Sequence, residues 1–280
     1  MQGNMNRSLP ALLLVAAAIA GCAGSKNKPT APAEPAAANP QVLLLGEVHD
    51  NPDGHKLRYQ QLFRRVEAGW RPAIAMEQFD RENQALLNKA QKDCRDAQCV
   101  ILVMAGPRWD WDQYRPIIDL ALRYDLPLVA ANLSRKDASL VVRDGVASSF
   151  DEKTVAEYRL KEALPADIVK AQAREIVAGH CNMLPDMMVP GMVNAQVARD
   201  IWMAKLLRAQ QPRDVVLIAG NGHVRKDYGV PRWLNAVEPR LTVRSVGYVE
   251  EAAAPGQYDA SYTVPKKQRP DPCASLKPKS

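Results

Sequence analysis

The stretch VLLLGEVHDNPDGH, residues 42–55, places four apolar residues directly before a polar turn that contains one glutamate and two histidines. The chain has only four histidines in 280 residues, so half of them lie in this turn. An unbroken apolar run of this length is typical of a strand that is buried on both faces of a parallel sheet. The stretch therefore predicts an α/β fold with polar side chains at the carboxyl end of its first strand.

Further apolar runs of strand length follow, separated by segments with helical periodicity. The predicted strands are VLLLG (42–46), AIAME (73–77), CVILVMA (99–105), LPLVAAN (126–132), VVLIAG (215–220) and LTVRSVGYV (241–249). The predicted helices between them cover residues 55–68, 81–92, 113–124 and 193–210. This alternation predicts an α/β fold with a mainly parallel β-sheet flanked by helices.

The chain divides into parts of different composition. We predict an α/β domain over residues 41–133 and 191–264. Residues 134–190 show helical periodicity at 151–162 and 166–178 without strands, which predicts a helical subdomain or lid. Residues 265–280 form a basic tail. The excess of basic residues lies in this tail and near the amino terminus, while residues 41–264 are close to neutral, so we expect no nucleic-acid partner.

Residues 1–21 are typical of a signal peptide, with Arg7 before an apolar run that is too short to span a bilayer. The segment ending in Cys22 resembles the bacterial lipobox, in which the cysteine is acylated. The alternative is an ordinary signal peptide with a chance cysteine. We predict a lipid-anchored envelope protein with a Pro/Ala-rich tether over 22–40. Ala23 lacks the aspartate that commonly retains lipoproteins at the inner membrane, which favours the outer membrane, facing the periplasm.

Four further cysteines remain, an even number in an exported and oxidising setting. Cys94 and Cys99 can close a small loop, which would leave Cys181 to pair with Cys273 and fasten the tail. The alternative is a set of buried free thiols, since spacing alone does not fix connectivity.

Several polar residues follow the predicted strands. Glu47 and His49 follow the first strand, Glu77 follows the second, and His223 follows VVLIAG. Because the carboxyl ends of parallel strands meet at one edge, these residues should converge on a site, with His180 as a further candidate from the helical region. The set suits a first-row metal or an acid and base pair, although each residue alone is more often a surface or capping group.

A second group of candidates lies in GPRWDWDQYRP, residues 106–116. Trp109, Trp111 and Tyr114 offer flat apolar surface and a phenol, with Arg108 and Arg115 beside them. Haem requires such a slot, an axial ligand and basic groups for its propionates. The alternative is a helix start that packs two tryptophans into the core. The loop MLPDMMVPGM (183–192) is likewise either adaptable packing, a soft-metal site or a pocket lip.

The sequence blocks together resemble the ChaN family of haem-binding lipoproteins over about residues 42–247. The blocks are LLLGEVHDNPDGHKLRYQQL, AIAMEQFDRENQ, WDWDQYRPIIDLA, PLVAANLSR, HCNMLPDMM, MVNAQVARDIWMA and VVLIAGNGHVRKDYGVPRWL. The resemblance implies haem as cofactor, a role in bacterial haem or iron acquisition, and a homodimer on haem binding. It makes Tyr114 the first candidate for the iron ligand.

The resemblance also orders the other candidates. His49 and His223 are further candidates for the haem iron. The other residues expected near haem are Trp109, Trp111, His180 and, beside the propionates, Arg108, Arg115 or Arg135. The family is distantly similar to erythromycin esterases and Tiki metalloproteases. This similarity supports an alternative, a metal-dependent hydrolase with Glu47 and Glu77 as catalytic carboxylates and His49 and His223 beside them. We expect haem binding rather than catalysis.

Overall fold

The computed structural model describes Met1, residues 38–271 and residues 273–274. The predicted signal peptide, apart from Met1, the lipidation site Cys22 and the tether up to residue 37 lie outside the described residues, as does most of the tail beyond residue 271. Within the described residues, none of the helices combines the length and apolarity that crossing a bilayer requires.

One to four α-helices lie between consecutive strands among the first five strands of the described chain. In chain order they are β1 (Val42–Leu45), α1 (Pro52–Glu67), β2 (Ala73–Asp80), α2 (Gln84–Asp93), α3 (Ala97–Met104), α4 (Arg115–Arg123), β3 (Leu128–Asn132), α5 (Arg135–Asp144), α6 (Glu152–Glu157), α7 (Ala166–Gly179), α8 (Val189–Arg208), β4 (Val215–Ile218), α9 (Asn221–Val224), α10 (Val230–Leu234), β5 (Val243–Val249) and β6 (Ala260–Thr263).

The six strands form one sheet in the order β3-β2-β4-β1-β5-β6, and every pair is parallel. The predicted α/β fold with a parallel sheet is thus confirmed. β1 lies in the interior, in register with β4 through Leu44 and Leu217 and with β5 through Leu44 and Ser245. All carboxyl ends therefore open on one edge, where the loops after β1, β2 and β4 meet.

Helices cover both faces of the sheet, which explains the unbroken apolar runs. Leu43 and Leu45 pack into a core with residues of α1, α2, α3 and α4. Val42 and Leu44 point to the opposite face and pack with residues of α5, α7, α8 and α10. Since successive side chains of a strand alternate between faces, only a strand with apolar residues at every position suits both cores.

The structure corrects one predicted strand and adds another. CVILVMA (99–105) was expected to be a strand but forms most of α3. Asp96 accepts a hydrogen bond from the backbone N–H of Cys99 at 2.9 Å and caps this helix. Val100 and Ile101 are buried whereas Leu102 is exposed, which is the one-sided burial of a surface helix. β6, which the sequence did not predict, pairs with β5 at the edge of the sheet.

The other predicted helices and both disulfides are present. The four helices predicted between strands are observed as α1, α2, α4 and α8, with shifted ends. The described residues 135–188 contain helices and 3-10 turns but no strand. Cys94 is bonded to Cys99, and Cys181 is bonded to Cys273, which is the disulfide alternative of the two that the sequence left open. The second bond fastens the tail just beyond the end of α7.

Candidate functional site

The turn after β1 is held by the start of α1. Asn51 is buried and accepts a hydrogen bond from the backbone N–H of Gly54 at 3.0 Å, and Pro52 occupies the first helical position. Both are favoured residues for a helix start. His55, in the first helical turn, bonds through Nε2 to the backbone carbonyl of His49 at 2.9 Å. The loop that presents Glu47 and His49 is therefore fixed by the helix that follows it.

Glu47 is the centre of a buried hydrogen-bond network. Its Oε1 accepts hydrogen bonds from His49 Nδ1 at 2.8 Å, the Tyr114 hydroxyl at 2.5 Å and Gln78 Nε2 at 3.2 Å. Its Oε2 pairs with the fully buried guanidinium of Arg58. An ionised carboxylate only accepts hydrogen bonds, so each of these partners acts as a donor. Glu47 is consequently fully engaged inside the protein.

His49 lies above this network and faces the cavity. Because Nδ1 donates to Glu47, the lone pair of the ring is on Nε2. The ring packs against the backbone of Gly220, where an added Cβ would lie 3.0 Å from Nε2. The rings of His49 and Trp109 form a T-shaped pair, with their centroids 5.0 Å apart. The His49 side chain is 47% exposed. His49 therefore presents an oriented imidazole at the surface of the site.

A second cluster joins β2, α8 and the loop after β4. His223 Nδ1 donates to Asp200 at 2.6 Å, and its Nε2 lies 3.6 Å from Glu77. Glu77 also accepts the backbone N–H of Gly220 at 2.8 Å, and Asp200 accepts from Gln172 at 3.1 Å. The cluster therefore connects the carboxyl end of β2 with α8.

Burial and ion pairing oppose each other in this cluster. Burial acts against the charged form of His223, but the carboxylates of Glu77 and Asp200 outweigh it and raise the pKa of His223 to about 10. Burial would raise the pKa of Glu77, and the charge of His223 instead lowers it to about 2. His223 is therefore a cation at neutral pH, which suits a structural ion pair better than a general base.

A cavity of about 600 Å³ opens between these two clusters. Pockets that hold cofactors are commonly ~300–1,000 Å³. One wall is formed by the loop between α3 and α4, and another by α8. The lining residues are His49, Asp50, Glu77, Arg108, Trp109, Asp110, Asn132, Gln196, Arg199 and His223.

The structure brings some of the predicted residues to this cavity and leaves others outside. His49, Glu77, Arg108, Trp109 and His223 line it, while Glu47 lies just beneath His49. Four predicted residues do not line it. Trp111 stacks on Phe79, and Arg115 pairs with Asp112 at the surface. Arg135 is exposed at the start of α5, and His180 is exposed at the end of α7.

Tyr114, the first candidate for an iron ligand, is fully buried below His49. Its hydroxyl donates to Glu47, and burial raises the pKa of the phenol. A tyrosinate ligand would require this hydroxyl to leave Glu47 and reach the cavity. The ligand role of Tyr114 stays a prediction, and the arrangement favours His49 as the group already placed at the cavity.

The four-residue metal hypothesis gains no support from the geometry. Across the described part of the chain, no three His, Cys, Asp or Glu side chains are arranged to hold a metal ion. The physical reason is that the carboxylates are already engaged. Glu47 is bonded to Arg58 and Tyr114, and Glu77 is bonded to the backbone of Gly220.

Several charged residues of the site that lie in the long helices α1 and α8 were not predicted from the sequence, because the prediction started from the strand ends. Arg58 lies on the buried side of α1, and Arg199 and Asp200 lie in α8. The signal that the sequence offered for them is a charged residue among the apolar residues on the buried side of a helix. Asp200 lies among Val197, Ala198 and Ile201, a position that a charged group occupies only when it has a partner.

Comparisons with known proteins agree with this architecture. No curated protein matches the chain significantly. Among solved structures, the chain is similar to ChaN of Campylobacter jejuni with cofacial heme binding, at 20% identity and a TM-score of 0.66, covering 79% of this chain and 86% of that one. It is also similar to an erythromycin esterase mutant, EreC, in its open conformation, at 15% identity and a TM-score of 0.43, covering 75% of this chain and 70% of that one.

At 20% identity the ChaN structure shows a shared fold and nothing more. The family comparison shows more than the fold, because residues 35–234, well over half of the chain, match one family. The matched range contains both hydrogen-bonded clusters and every residue that lines the cavity. The chain therefore belongs to the family of haem-binding uptake proteins of the Tiki superfamily that includes ChaN.

Proposed function

We propose that this chain binds haem in the cavity between α8 and the loop that joins α3 to α4. The observation that carries the proposal is the pairing of an oriented imidazole, His49, with the flat surface of Trp109 at one cavity of suitable volume. Family membership supports the same ligand. Haem would supply an iron that accepts a nitrogen or oxygen ligand from the protein.

His49 is the first candidate for that ligand in the proposal. Histidines that bind metals commonly donate their second ring N–H to a carboxylate, which fixes the ring and leaves the other nitrogen free. His49 shows this arrangement with Glu47, whose charge is held in turn by Arg58. Trp109, which packs against the His49 ring, would provide an apolar contact for haem.

The test is a ferric haem titration of residues 23–280, followed by absorbance. We expect a saturable Soret shift in the wild type, lost in His49→Ala and kept in His180→Ala, a matched histidine outside the cavity. Loss in Tyr114→Phe alone would instead assign the iron ligand to Tyr114. Absence of saturable binding in the wild type would overturn the proposal.

We further propose a lipid anchor at Cys22, a location at the outer membrane facing the periplasm, and a role in haem or iron acquisition. The support is the lipobox-like sequence and the family, which is one of haem-binding uptake proteins. Labelling of cells with a radioactive fatty acid should mark the wild type and not Cys22→Ser. An unlabelled wild type, or labelling that survives in Cys22→Ser, would contradict the anchor.

We also propose that haem binding brings two copies of the chain together. The support is the resemblance to the ChaN family and the exposed apolar residues of α3, the helix that leads into the cavity loop of Arg108 and Trp109. Light scattering with and without haem tests the proposal, and a protein that stays monomeric when saturated with haem would overturn it.

A further inference from the structure

Arg199 is a cation in the wall of the cavity. Within the described residues no carboxylate forms an ion pair with it, and its only hydrogen bond is a long one of 3.4 Å to Gln196, one turn before it on α8. The other arginine of the cavity, Arg108, pairs with Asp80 at 3.2 Å. A partly buried guanidinium is costly when it is unpaired, so an unpaired one at a cavity points to a ligand.

Three acids act on Arg199 through their charge, namely Glu77, Asp200 and Asp80, and each of them is bonded to another group. Asp200 bonds to His223 and Gln172, and Glu77 bonds to Gly220. Asp80 accepts from Asn132 at 2.7 Å and pairs with Arg108. Burial lowers the pKa of the Arg199 guanidinium, and the charges of Glu77 and Asp200 only partly offset it.

The position of Arg199 is fixed by the residue that follows it. Asp200 is fully buried and bonded to His223, which sets the rotation of α8 about its axis. Neighbouring residues of a helix point about 100° apart, so this rotation places Arg199 at the cavity. A guanidinium on a rigid helix is a well-placed binding group, because its planar fork matches a carboxylate in two hydrogen bonds.

We infer that Arg199 binds a carboxylate group of the ligand, with Arg108 as the second cation of the same cavity. The inference rests on the proposed function, under which this carboxylate is a propionate of haem. The ligand class is an aromatic ring system that carries carboxylates, lying between Trp109 and α8.

The test compares ferric haem with haem dimethyl ester, in which both carboxylates are blocked. We expect the wild type to bind the diester about tenfold to a hundredfold more weakly than haem, as the loss of a charged hydrogen bond predicts. Arg199→Gln should lose a similar factor for haem and nothing further for the diester. The affinity of Arg199→Lys for haem should fall between those of the wild type and Arg199→Gln. Arg115 lies outside the cavity, so Arg115→Gln should bind haem as tightly as the wild type.

Equal affinity of the wild type for haem and its diester would overturn the inference, and this arm needs no variant to fold. Equal weakening of both ligands by Arg199→Gln would also overturn it, because it would indicate a packing role. Either result leaves haem binding intact.

Metal-free protoporphyrin, followed by quenching of tryptophan fluorescence, separates this inference from the proposed function. Binding that depends on Arg199, in a protein that does not bind ferric haem, would uphold the carboxylate site and overturn the haem proposal. Failure of the wild type to bind either compound would overturn both.

Discussion

Arg58 is the residue on which the buried network of Glu47 depends. Its side chain is fully buried, and both its partner oxygen and its contact with His55 at 2.9 Å lie inside the protein. Arg58→Met would leave the carboxylate of Glu47 buried without its counter-charge. We expect a loss of about 3–5 kcal/mol in the free energy of unfolding, measured by urea denaturation at pH 7.

The matched control for this variant is Arg115→Met, which removes an exposed ion pair with Asp112. We expect the control to change the free energy of unfolding by no more than about 0.5 kcal/mol. The double variant Glu47→Gln, Arg58→Met should be more stable than the sum of the two single losses predicts, because no buried charge is left. A loss below about 1 kcal/mol in Arg58→Met would show that water reaches the pair.

The residues of the site were predictable where a strand end places them. His49 and His223 follow buried strands of a parallel sheet, and Glu77 lies near the carboxyl end of β2, so the fold alone brings them together. The burial of a side chain could not be predicted in the same way. Tyr114 follows two tryptophans and suggested an exposed slot, yet it directly precedes α4 and turns inward onto Glu47.

The described part of the tail forms an element of its own along the edge of the site. Arg269 donates to Asp50 at 2.6 and 2.7 Å and to Glu250 at 2.7 and 2.8 Å. Four residues later, Cys273 is bonded to Cys181. The tail therefore links a residue that lines the cavity to the helical region on the far side of the chain.

This link should weaken in acid. The hydrogen bond from Arg269 lowers the pKa of Glu250 to about 2, against burial, which raises it. Because the folded-state pKa lies below the ordinary value of 4.5, the stability from ionised Glu250 is present above about pH 4.5 and is lost as the pH falls toward 2. We expect Glu250→Gln to be less stable than the wild type by about 1 kcal/mol at pH 7, with the gap narrowing below pH 4.5.

Glu251→Gln is the control for this prediction, since the neighbouring carboxylate forms an exposed ion pair with Lys266. Urea denaturation of the three proteins between pH 7 and pH 3 measures the gap. A difference between wild type and Glu250→Gln that stays constant over this range would mean that the charge of Glu250 does not hold the tail.

The elements that the sequence failed to predict share a physical cause. The apolar run of α3 has no strict helical period, and both a buried strand and a short helix accommodate it. The capping bond of Asp96 and the bond between Cys94 and Cys99 favour the helix, and neither is visible in hydropathy. β6 is only four residues long and half-exposed, so its pairing with β5 leaves little trace in composition.

At the scale of the whole molecule, exposed apolar side chains lie on α3, the helix that leads into one of the cavity loops. α3 ends at Met104 and runs directly into the loop that carries Arg108 and Trp109. Leu102 is 76% exposed and Val103 is 44% exposed on this helix. Adjacent exposed apolar side chains are typical of a contact surface, and the proposed dimer would use this one.

We therefore expect Leu102→Glu to prevent dimerisation on haem binding while the protein still binds haem. A buried leucine at an interface contributes about 1.5–3 kcal/mol, and a glutamate there would also be desolvated. Met187→Glu is the matched control, since this exposed methionine lies in the helical region away from α3. Light scattering should show a dimer for haem-saturated wild type and Met187→Glu, and a monomer for Leu102→Glu. A dimer in all three proteins would place the contact elsewhere, because a charge at the centre of an apolar interface would otherwise separate the two copies.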